Sequence, residues 1–327
     1  MVPNRLFASF SQNSPGNSLA ELAISLLEKQ KTSWPLLSDA YSSFDGMKVR
    51  EIHCKGFTVS LQFNPKRLAS TGAKVDDKSV RERKCFLCTD NLPKEQEGIL
   101  YKDSFLILCN PAPIFRQHFT VSHIDHAPQV IERSFGTFLA LAEDIAPEFT
   151  VLYNGARCGA SAPDHMHFQA IPQGRLPAEQ NADDKRRTVP KKKIGNVSFL
   201  VLPNYGRRVL IMESDDKEEL GTLFARFLGS MKRETRSELE PMINLLCSYA
   251  KGTWRVIVFP RGKHRPDVYY KEGDERILVS PAAVDMGGLV ITPVEKDFER
   301  TDERLIESIF EEVSMGHDVL ERIIAGI

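Results

Sequence analysis

The sequence of 327 residues predicts an α+β fold made of two halves, each an antiparallel sheet with helices packed on it. Short stretches of alternating apolar and polar residues, typical of half-buried strands, recur along the chain. Stretches with apolar residues at helical spacing stand between them and near both ends. The two halves show a loosely similar order of strands and helices without a sequence repeat, which leaves a structural duplication open.

The first half is expected to contain two helices and six strands. One helix is expected over residues 17–42, capped by Asn17 or Ser18, and a second over Ser134–Asp144. The strands are expected at residues 49–54 and 57–63, joined by a turn at Lys55-Gly56, and at 104–109, 118–122, 148–154 and 166–172. The long, basic and small-residue-rich stretch over residues 64–84 predicts a loop that is either disordered or functional.

The second half is expected to continue the same alternation. Strands are predicted at residues 196–203, 207–213, 253–260, 275–280 and 287–293, and helices at residues 215–234, 236–252 and 303–324. Residues 177–193 contain almost no apolar side chains, which favours a linker or mobile loop. We therefore divide the chain into an N-terminal half at residues 1–180, a basic linker or loop at 181–195, and a C-terminal half at 196–327.

Composition limits the classes of partner. An apolar share of 42% and a charged share of 27% are typical of a soluble globular protein. Because the formal net charge is only −1, nucleic-acid and anionic-membrane partners are not expected, and any phosphate binding must come from a local site. No apolar run approaches the ~18 residues of a membrane span, and residues 1–18 do not read as a secretory leader. With six dispersed cysteines, this favours a cytoplasmic protein without a disulfide framework.

The chemistry is concentrated in residues 154–170, which read NGARCGASAPDHMHFQA. On a strand, His165, His167 and Gln169 project to one side, while the apolar residues that alternate with them face the core. An ordinary strand would more often carry Thr, Lys or Glu at such positions. The alternation therefore predicts a functional polar face.

Small residues precede this face and favour a phosphate site. Asn154, Gly159 and Ser161 belong to a turn whose backbone N–H groups can approach an anion closely, and the Ser161 hydroxyl can donate to a phosphate oxygen. A neutral imidazole beside a phosphate can attack phosphorus and form a covalent intermediate. Gln169 would then hold a non-bridging oxygen.

The stretch NGARCGASAPDHMHFQA resembles the active-site signature of the nucleotidyltransferase and phosphorylase branch of the histidine-triad (HIT-like) superfamily. That branch includes galactose-1-phosphate uridylyltransferase, diadenosine tetraphosphate phosphorylase and GDP-galactose phosphorylase. In it, glutamine replaces the third histidine of the triad hydrolases, and the second histidine is the nucleophile. The resemblance therefore implies that His167 is the nucleophile and Gln169 its phosphate partner.

Two further stretches extend the resemblance over roughly residues 60–295. LCNPAPIFRQHFTVSH resembles the strand-turn-strand that precedes the family's site, which makes Asn110 a candidate substrate contact. WRVIVFPRGKHRP and SPAAVDMGGLVITP are similar to the C-terminal half of the dinucleotide phosphorylases. The resemblance thus implies two HIT-like halves, of which the first carries the nucleophile and the second completes the substrate pocket.

Cys85 and Cys88 form a C-x-x-C pair that, by itself, is ambiguous between metal binding, redox chemistry and chance. Some uridylyltransferases of the family bind a structural zinc through such a pair and two histidines. The implied ligands here are Cys85, Cys88, His118 and His165. His123 and His126 are alternatives to His118, because spacing cannot choose among three nearby histidines.

Five basic residues are further candidates for phosphate binding. They are Arg67 and Lys74 in the long loop, and Arg261, Lys263 and His264 after a predicted strand. Arginine suits bidentate phosphate contacts and lysine a point-charge contact, but each of these residues could equally be solvated surface charge. The run KRRTVPKKK lacks interleaved aromatic residues and favours a solvated loop over a nucleic-acid site.

The predicted function is that of a nucleotidyltransferase or phosphorylase acting on a nucleoside diphosphate sugar or a dinucleoside polyphosphate. The reaction would pass through a nucleotidyl-histidine, with phosphate or a sugar phosphate as the acceptor. Two alternatives remain: a nucleotide hydrolase of the same fold, and a non-catalytic, zinc-stabilised nucleotide-binding module. The sequence does not specify the base, the sugar, the acceptor or the oligomeric state.

Overall fold

A computed structural model of the chain describes residues 6–11, 18–73 and 75–327. Most of its strands join into one large sheet, and helices cover one face of that sheet. The strands are β1 Leu6–Phe10, β2 Lys48–Cys54, β3 Phe57–Phe63, β4 Gly98–Tyr101, β5 Phe105–Cys109, β6 Phe119–His123, β7 Phe149–Asn154, β8 His167–Pro172, β9 Val189–Ile194, β10 Val197–Val201, β11 Leu210–Ser214, β12 Ile243–Ala250, β13 Thr253–Pro260 and β14 Leu289–Thr292.

The helices are unequal in length, and the longest pack on the large sheet. They are α1 Leu19–Ser33, α2 Pro35–Ser42, α3 Leu68–Thr71, α4 Asp77–Glu82, α5 Phe135–Asp144, α6 Pro177–Asp183, α7 Lys217–Thr235, α8 Ala283–Met286, α9 Glu295–Arg300, α10 Glu303–Val313 and α11 His317–Ala325. Ser18 caps α1, since its hydroxyl accepts from the backbone N–H of Glu21 at 3.2 Å. Asn17, the alternative cap, lies outside the described residues.

The large sheet has the order β1-β4-β5-β6-β8-β7-β12-β13-β11-β10-β9. Outward from the central β7·β12 pair, the two sides mirror each other: β8, β6, β5 and β4 on one side match β13, β11, β10 and β9 on the other. All neighbours are antiparallel except β1, which runs parallel to β4. The α+β class is confirmed. The two halves share one continuous sheet, whereas a separate sheet was predicted for each half.

Both faces of this sheet are buried. On one face, α1, α5, α7 and α11 cover the core that contains Phe168. On the other face, a small sheet of β14, β3 and β2, together with α10, covers a second core that contains Ile171. Both faces of strand β8 are therefore covered, and the side chains of His167, which is 6% exposed, and Gln169, which is partly exposed, line cavities on the side of the second core.

Three predicted elements are wrong for identifiable reasons. Residues 236–252 were expected to be helical but contain β12, because a central strand buried on both faces reads as a continuous apolar run. Residues 275–280 form no strand, since the N–H of Leu278 donates instead to the Asp297 carboxylate. Residues 181–195 are not a free linker: they hold the end of α6 and all of β9, an edge strand whose lysines and proline are typical of protected sheet edges.

Two predicted helices are each split in two. The first breaks at Trp34, which caps both α1 and α2, because a proline follows it and disfavours helical backbone at that residue. The last breaks between α10 and α11, where Ser314 pairs with Arg261 in an isolated bridge. No helix among the described residues combines the length and the apolar character needed to cross a bilayer.

Candidate active site and metal cluster

The loop between β7 and β8 is held to the sheet by the side chain of Gln129. Its amide nitrogen donates to the carbonyls of Asn154 at 2.9 Å and His167 at 3.0 Å. Its amide oxygen accepts from the N–H of His167 at 2.7 Å. Gln129 thus ties the end of β7 to the start of β8 and fixes the backbone of His167. No motif in the sequence pointed to this role.

His167 is placed as an oriented, neutral imidazole. Its Nδ1 lies 2.7 Å from the carbonyl oxygen of His165, which can only accept, so Nδ1 carries the proton and Nε2 the lone pair. Burial lowers the pKa of His167 to about 4, although the His165 carbonyl opposes this shift. At neutral pH the ring is therefore unprotonated at Nε2, the state that a nucleophile requires.

Gln169 projects from the same face of β8 and contacts His118 rather than a metal ligand. Nε2 of His118 lies 2.7 Å from Oε1 of Gln169, and Nδ1 of His118 accepts from the backbone N–H of Ile114 at 3.1 Å. Both ring nitrogens of His118 are thus occupied. The expectation that His118 ligates the metal is wrong, because its ring faces Gln169 instead of the cysteines.

The histidine that completes the metal cluster is His126. Cys85, Cys88, His126 and His165 each offer one ligand atom, and these four atoms all lie within 4.8 Å of one another. Nδ1 of His165 lies 3.3 Å from the Cys85 sulfur, and Nδ1 of His126 lies 3.1 Å from the Cys88 sulfur. His123 is not part of the cluster, since its ring nitrogen contacts Asp125.

The surroundings of this cluster fit a bound metal ion. Nε2 of His165 donates to the carbonyl oxygen of His123 at 2.8 Å, which leaves its Nδ1 with a lone pair aimed at the cysteines. Nε2 of His126 lies 3.5 Å from a carboxylate oxygen of Asp164, the kind of outer partner that orients metal-binding histidines. Two cysteine sulfurs and two imidazole nitrogens are a donor set suited to tetrahedral zinc.

Two cavities adjoin Gln169. The larger, of about 290 Å³, is lined mainly by apolar side chains and by His167. The smaller, of about 50 Å³, is polar. Four residues line both: Arg67, Ser70, Ser161 and Gln169. A molecule with an apolar part and a phosphate could therefore lie across the junction.

Arg67 supplies positive charge at this junction. Its Nη1 donates to the carbonyl of Ala112 at 2.8 Å, while its buried Nε has no partner among the described residues. Burial lowers the pKa of the guanidinium, and the nearby Asp285 carboxylate opposes this. Burial raises the pKa of Asp285 to about 6, although backbone N–H groups and Arg67 act against it. A buried, unpartnered donor on a half-buried arginine suits an anionic ligand.

Asn154 and Gly159 line the small cavity but chiefly join the two halves. The Asn154 side-chain oxygen accepts from Asn244 at 2.9 Å and from the N–H of Ala283 at 2.7 Å, both in the C-terminal half. At Gly159, φ is +107°, and an added Cβ would lie 2.7 Å from the Cβ of Ala282. Glycine is needed there for close contact between the halves, a reason different from the predicted anion approach.

The remaining predicted contacts divide between cavity-lining and structural residues. His264 lines the small cavity and Asn110 the large one. Arg261 is 1% exposed and donates to protein acceptors that include the carbonyls of Val313, Pro281 and His264, so the predicted phosphate contact is wrong. Lys263 forms ion pairs with two carboxylates away from both cavities, which corrects that prediction too. Lys74 lies outside the described residues.

Comparisons with known proteins agree with this architecture. A family model described as "Domain of unknown function (DUF4922)" matches residues 26–172, and one described as "GDPGP1-like, C-terminal domain" matches residues 179–327. The crystal structure of yeast Ap4A phosphorylase Apa2 is similar, with a TM-score of 0.54 at 13% identity over 86% of this chain and 94% of that chain. Its complex with AMP gives a TM-score of 0.54 at 14% identity over 89% and 96%. No curated protein matches in sequence.

These matches confirm the resemblance to the nucleotidyltransferase and phosphorylase branch of the HIT-like superfamily. The chain has the fold of a nucleotide phosphorylase, with a DUF4922 match in the half that carries His167 and a GDPGP1-like match in the other.

Proposed function

We propose that the protein is a nucleotidyltransferase of the phosphorylase type that acts on a nucleoside diphosphate sugar or a dinucleoside polyphosphate. One observation carries this proposal. His167 is a buried, neutral imidazole, oriented by the His165 carbonyl, in the wall of a cavity shared with Gln169 and Arg67. A protein that only binds nucleotides has no need of an unprotonated imidazole at that point.

The reaction consists of two displacements at one phosphorus atom. Nε2 of His167 attacks the α-phosphate, a P–N bond forms, and the P–O bond to the rest of the substrate breaks. The leaving group is a sugar phosphate or a nucleotide, which departs through a phosphate oxygen and needs no proton. A phosphate oxygen of the acceptor then attacks the same phosphorus and releases His167. The bond from Nδ1–H to the His165 carbonyl stabilises the charge that the ring carries in between.

Gln169 and Arg67 bind the transferred phosphate. Both line the junction of the two cavities, where a donor can meet a non-bridging oxygen. The larger, mainly apolar cavity is suited to the retained nucleoside. The small polar cavity, which His264 also lines, is suited to the remaining phosphates and to the acceptor.

We further propose that the cluster of Cys85, Cys88, His126 and His165 holds a structural zinc ion. Bound zinc would supply rigidity at the start of β8, because His165 is both a cluster member and the hydrogen-bond acceptor of His167. The chemistry stays with the histidine. None of the six cysteines, all of which lie among the described residues, forms a disulfide, which supports the proposal of a reducing, cytoplasmic location.

The test is to trap the nucleotidyl group. The protein is incubated with α-labelled nucleotide sugars and dinucleoside polyphosphates, with and without phosphate, and then denatured in alkali. We expect an acid-labile label on the wild-type chain, none on His167→Ala, and normal labelling of His53→Ala, whose side chain is 76% exposed. Turnover without any label on the wild type would overturn the proposal. Release of nucleotide at the same rate without phosphate would identify a hydrolase instead.

A further inference from the structure

His118 has no place in the reaction just proposed, yet it is fully buried against a residue that does. Its exposed fraction is 0%, and it lines neither of the two cavities around Gln169. Its ring makes two hydrogen bonds, one to Oε1 of Gln169 and one with the N–H of Ile114. A buried histidine with both nitrogens committed acts on its neighbours and not directly on a substrate.

The direction of these two bonds follows from one group that can only donate. The backbone N–H of Ile114 points at Nδ1 of His118 over 3.1 Å, so Nδ1 must hold a lone pair. The proton of the neutral ring therefore sits on Nε2 and is donated to Gln169 over 2.7 Å. Burial, helped by the charge of Arg67, lowers the pKa of His118 to about 3, so the ring stays neutral at physiological pH.

The turn between β5 and β6 supplies the donor. Ile114 lies in that turn and is 4% exposed, anchored in the core beneath the small sheet. The N–H of Asn110 donates to the carbonyl of His118 at 3.0 Å, which closes the turn next to β6. On the other side of β6, Thr120 pairs with Gln169. The ring of His118 therefore sits between a fixed backbone N–H and the Gln169 carboxamide.

We propose that His118 is a positioning residue that fixes the orientation of the Gln169 carboxamide, so that its NH2 group and not its oxygen faces the transferred phosphate. This inference rests on the proposed function, because it assigns the side of Gln169 that meets the substrate. With Oε1 held by His118, the two amide hydrogens are available to non-bridging phosphate oxygens. If the amide were flipped, Oε1 of Gln169 would instead face the non-bridging phosphate oxygens.

The test is a double-mutant cycle, with two amide variants of His118 as controls. In His118→Phe the ring is kept but the donor is lost, and we expect kcat to fall about 10- to 100-fold, up to the loss seen for one missing transition-state donor. His118→Asn, which cannot reach Gln169, should behave in the same way. His118→Gln places an amide N–H near the position of Nε2 and should recover activity to within about threefold.

The cycle is completed in a Gln169→Ala background. If His118 acts through Gln169, then His118→Phe should change kcat less than about twofold there. The proposal would be overturned if His118→Phe lowered kcat by the same factor in the wild-type and Gln169→Ala backgrounds. It would also be overturned if His118→Gln were inactive while unfolding at the wild-type temperature. These outcomes separate a positioning role from a purely structural one, because lost stability alone would not depend on residue 169.

A measurement independent of turnover distinguishes this inference from the proposed function. Long-range nitrogen–proton spectra of histidine-labelled protein report which ring nitrogen of His118 carries the proton, with the signal assigned by its loss in His118→Gln. We expect the proton on Nε2, and a proton on Nδ1 would overturn the positioning role whatever the activity. Failure of the proposed function appears elsewhere, as a wild-type chain that takes no nucleotidyl label.

Discussion

The contact between Gly159 and the C-terminal half gives a prediction whose size follows from the geometry. In Gly159→Ala, the new Cβ would lie 2.7 Å from the Cβ and 2.9 Å from the Cα of Ala282, on a backbone with φ of +107°. A side chain at that backbone angle costs about 1–2 kcal/mol, and forcing a methyl group into packed surroundings costs about 1–3 kcal/mol more. We expect the free energy of unfolding to fall by about 2–5 kcal/mol.

The assay is urea unfolding of Gly159→Ala beside a matched control. Gly174 also has a positive φ, +73°, but an added Cβ there meets nothing within 4 Å. Gly174→Ala therefore measures the backbone cost alone, about 1–2 kcal/mol. If both variants lose the same stability, the close contact between the loop before β8 and Ala282 does not exist, and the account of Gly159 is refuted. Because Gly159 lines the polar cavity, its variant should also lose activity that Gly174→Ala retains.

Three further predictions concern charge and metal. Burial raises the pKa of Glu240 from 4.5 to about 7, so ionising it costs stability and should contribute a fall of at most about 3 kcal/mol as pH rises from 4.5 through 7. In urea unfolding at pH 5 and pH 8, Glu240→Gln should lose this contribution, while the raised pKa of Asp285 acts in the same direction in both proteins. An equal change of stability with pH in the two proteins would contradict the prediction. Arg67→Lys keeps the charge but loses the planar donor set, so KM for the nucleotide should rise about tenfold in steady-state kinetics. An unchanged KM would show that Arg67 does not contact the nucleotide. Cys88→Ser should lose the zinc measured by elemental analysis, whereas Cys54→Ser, outside the cluster, should keep it. The same zinc content per chain in both variants would disprove the ligand set.

Part of the candidate site could be predicted because His167 and Gln169 lie on one strand, β8. A period of two places them on one face, and the structure puts Phe168, between them, in the opposite core. His165 was predicted on the same strand, but it precedes the first residue of β8, and its ring faces Cys85. The cysteine pair could also be recognised as a candidate metal site, because two cysteines three residues apart need no tertiary information. What a single element determines could therefore be predicted from the sequence.

The non-local part could not be predicted. His118, His123 and His126 are equivalent by spacing, and only the packing of the turn before β6 turns His118 toward Gln169 and leaves His126 to the cysteines. Gln129 and Asp285 take their roles from residues distant in sequence, His167 and Arg67 respectively. Strand β12 was mistaken for a helix because both of its faces are buried, with Leu245 in one core and Leu246 in the other, so that it reads as a continuous apolar run.

For the proposed reaction, the mirrored halves of the large sheet predict one covalently held nucleotide per chain. Strand β13 occupies the position in its half that β8 occupies in the other, and it carries Arg255, Ile257 and Phe259 on the face where β8 carries His167 and Gln169. Arg255 is ion-paired to Glu213 at 2.6 Å, so these three positions of β13 offer no counterpart to His167. In a rapid-quench experiment the burst amplitude should therefore saturate at one equivalent per polypeptide. The C-terminal half would then contribute cavity walls and no turnover of its own.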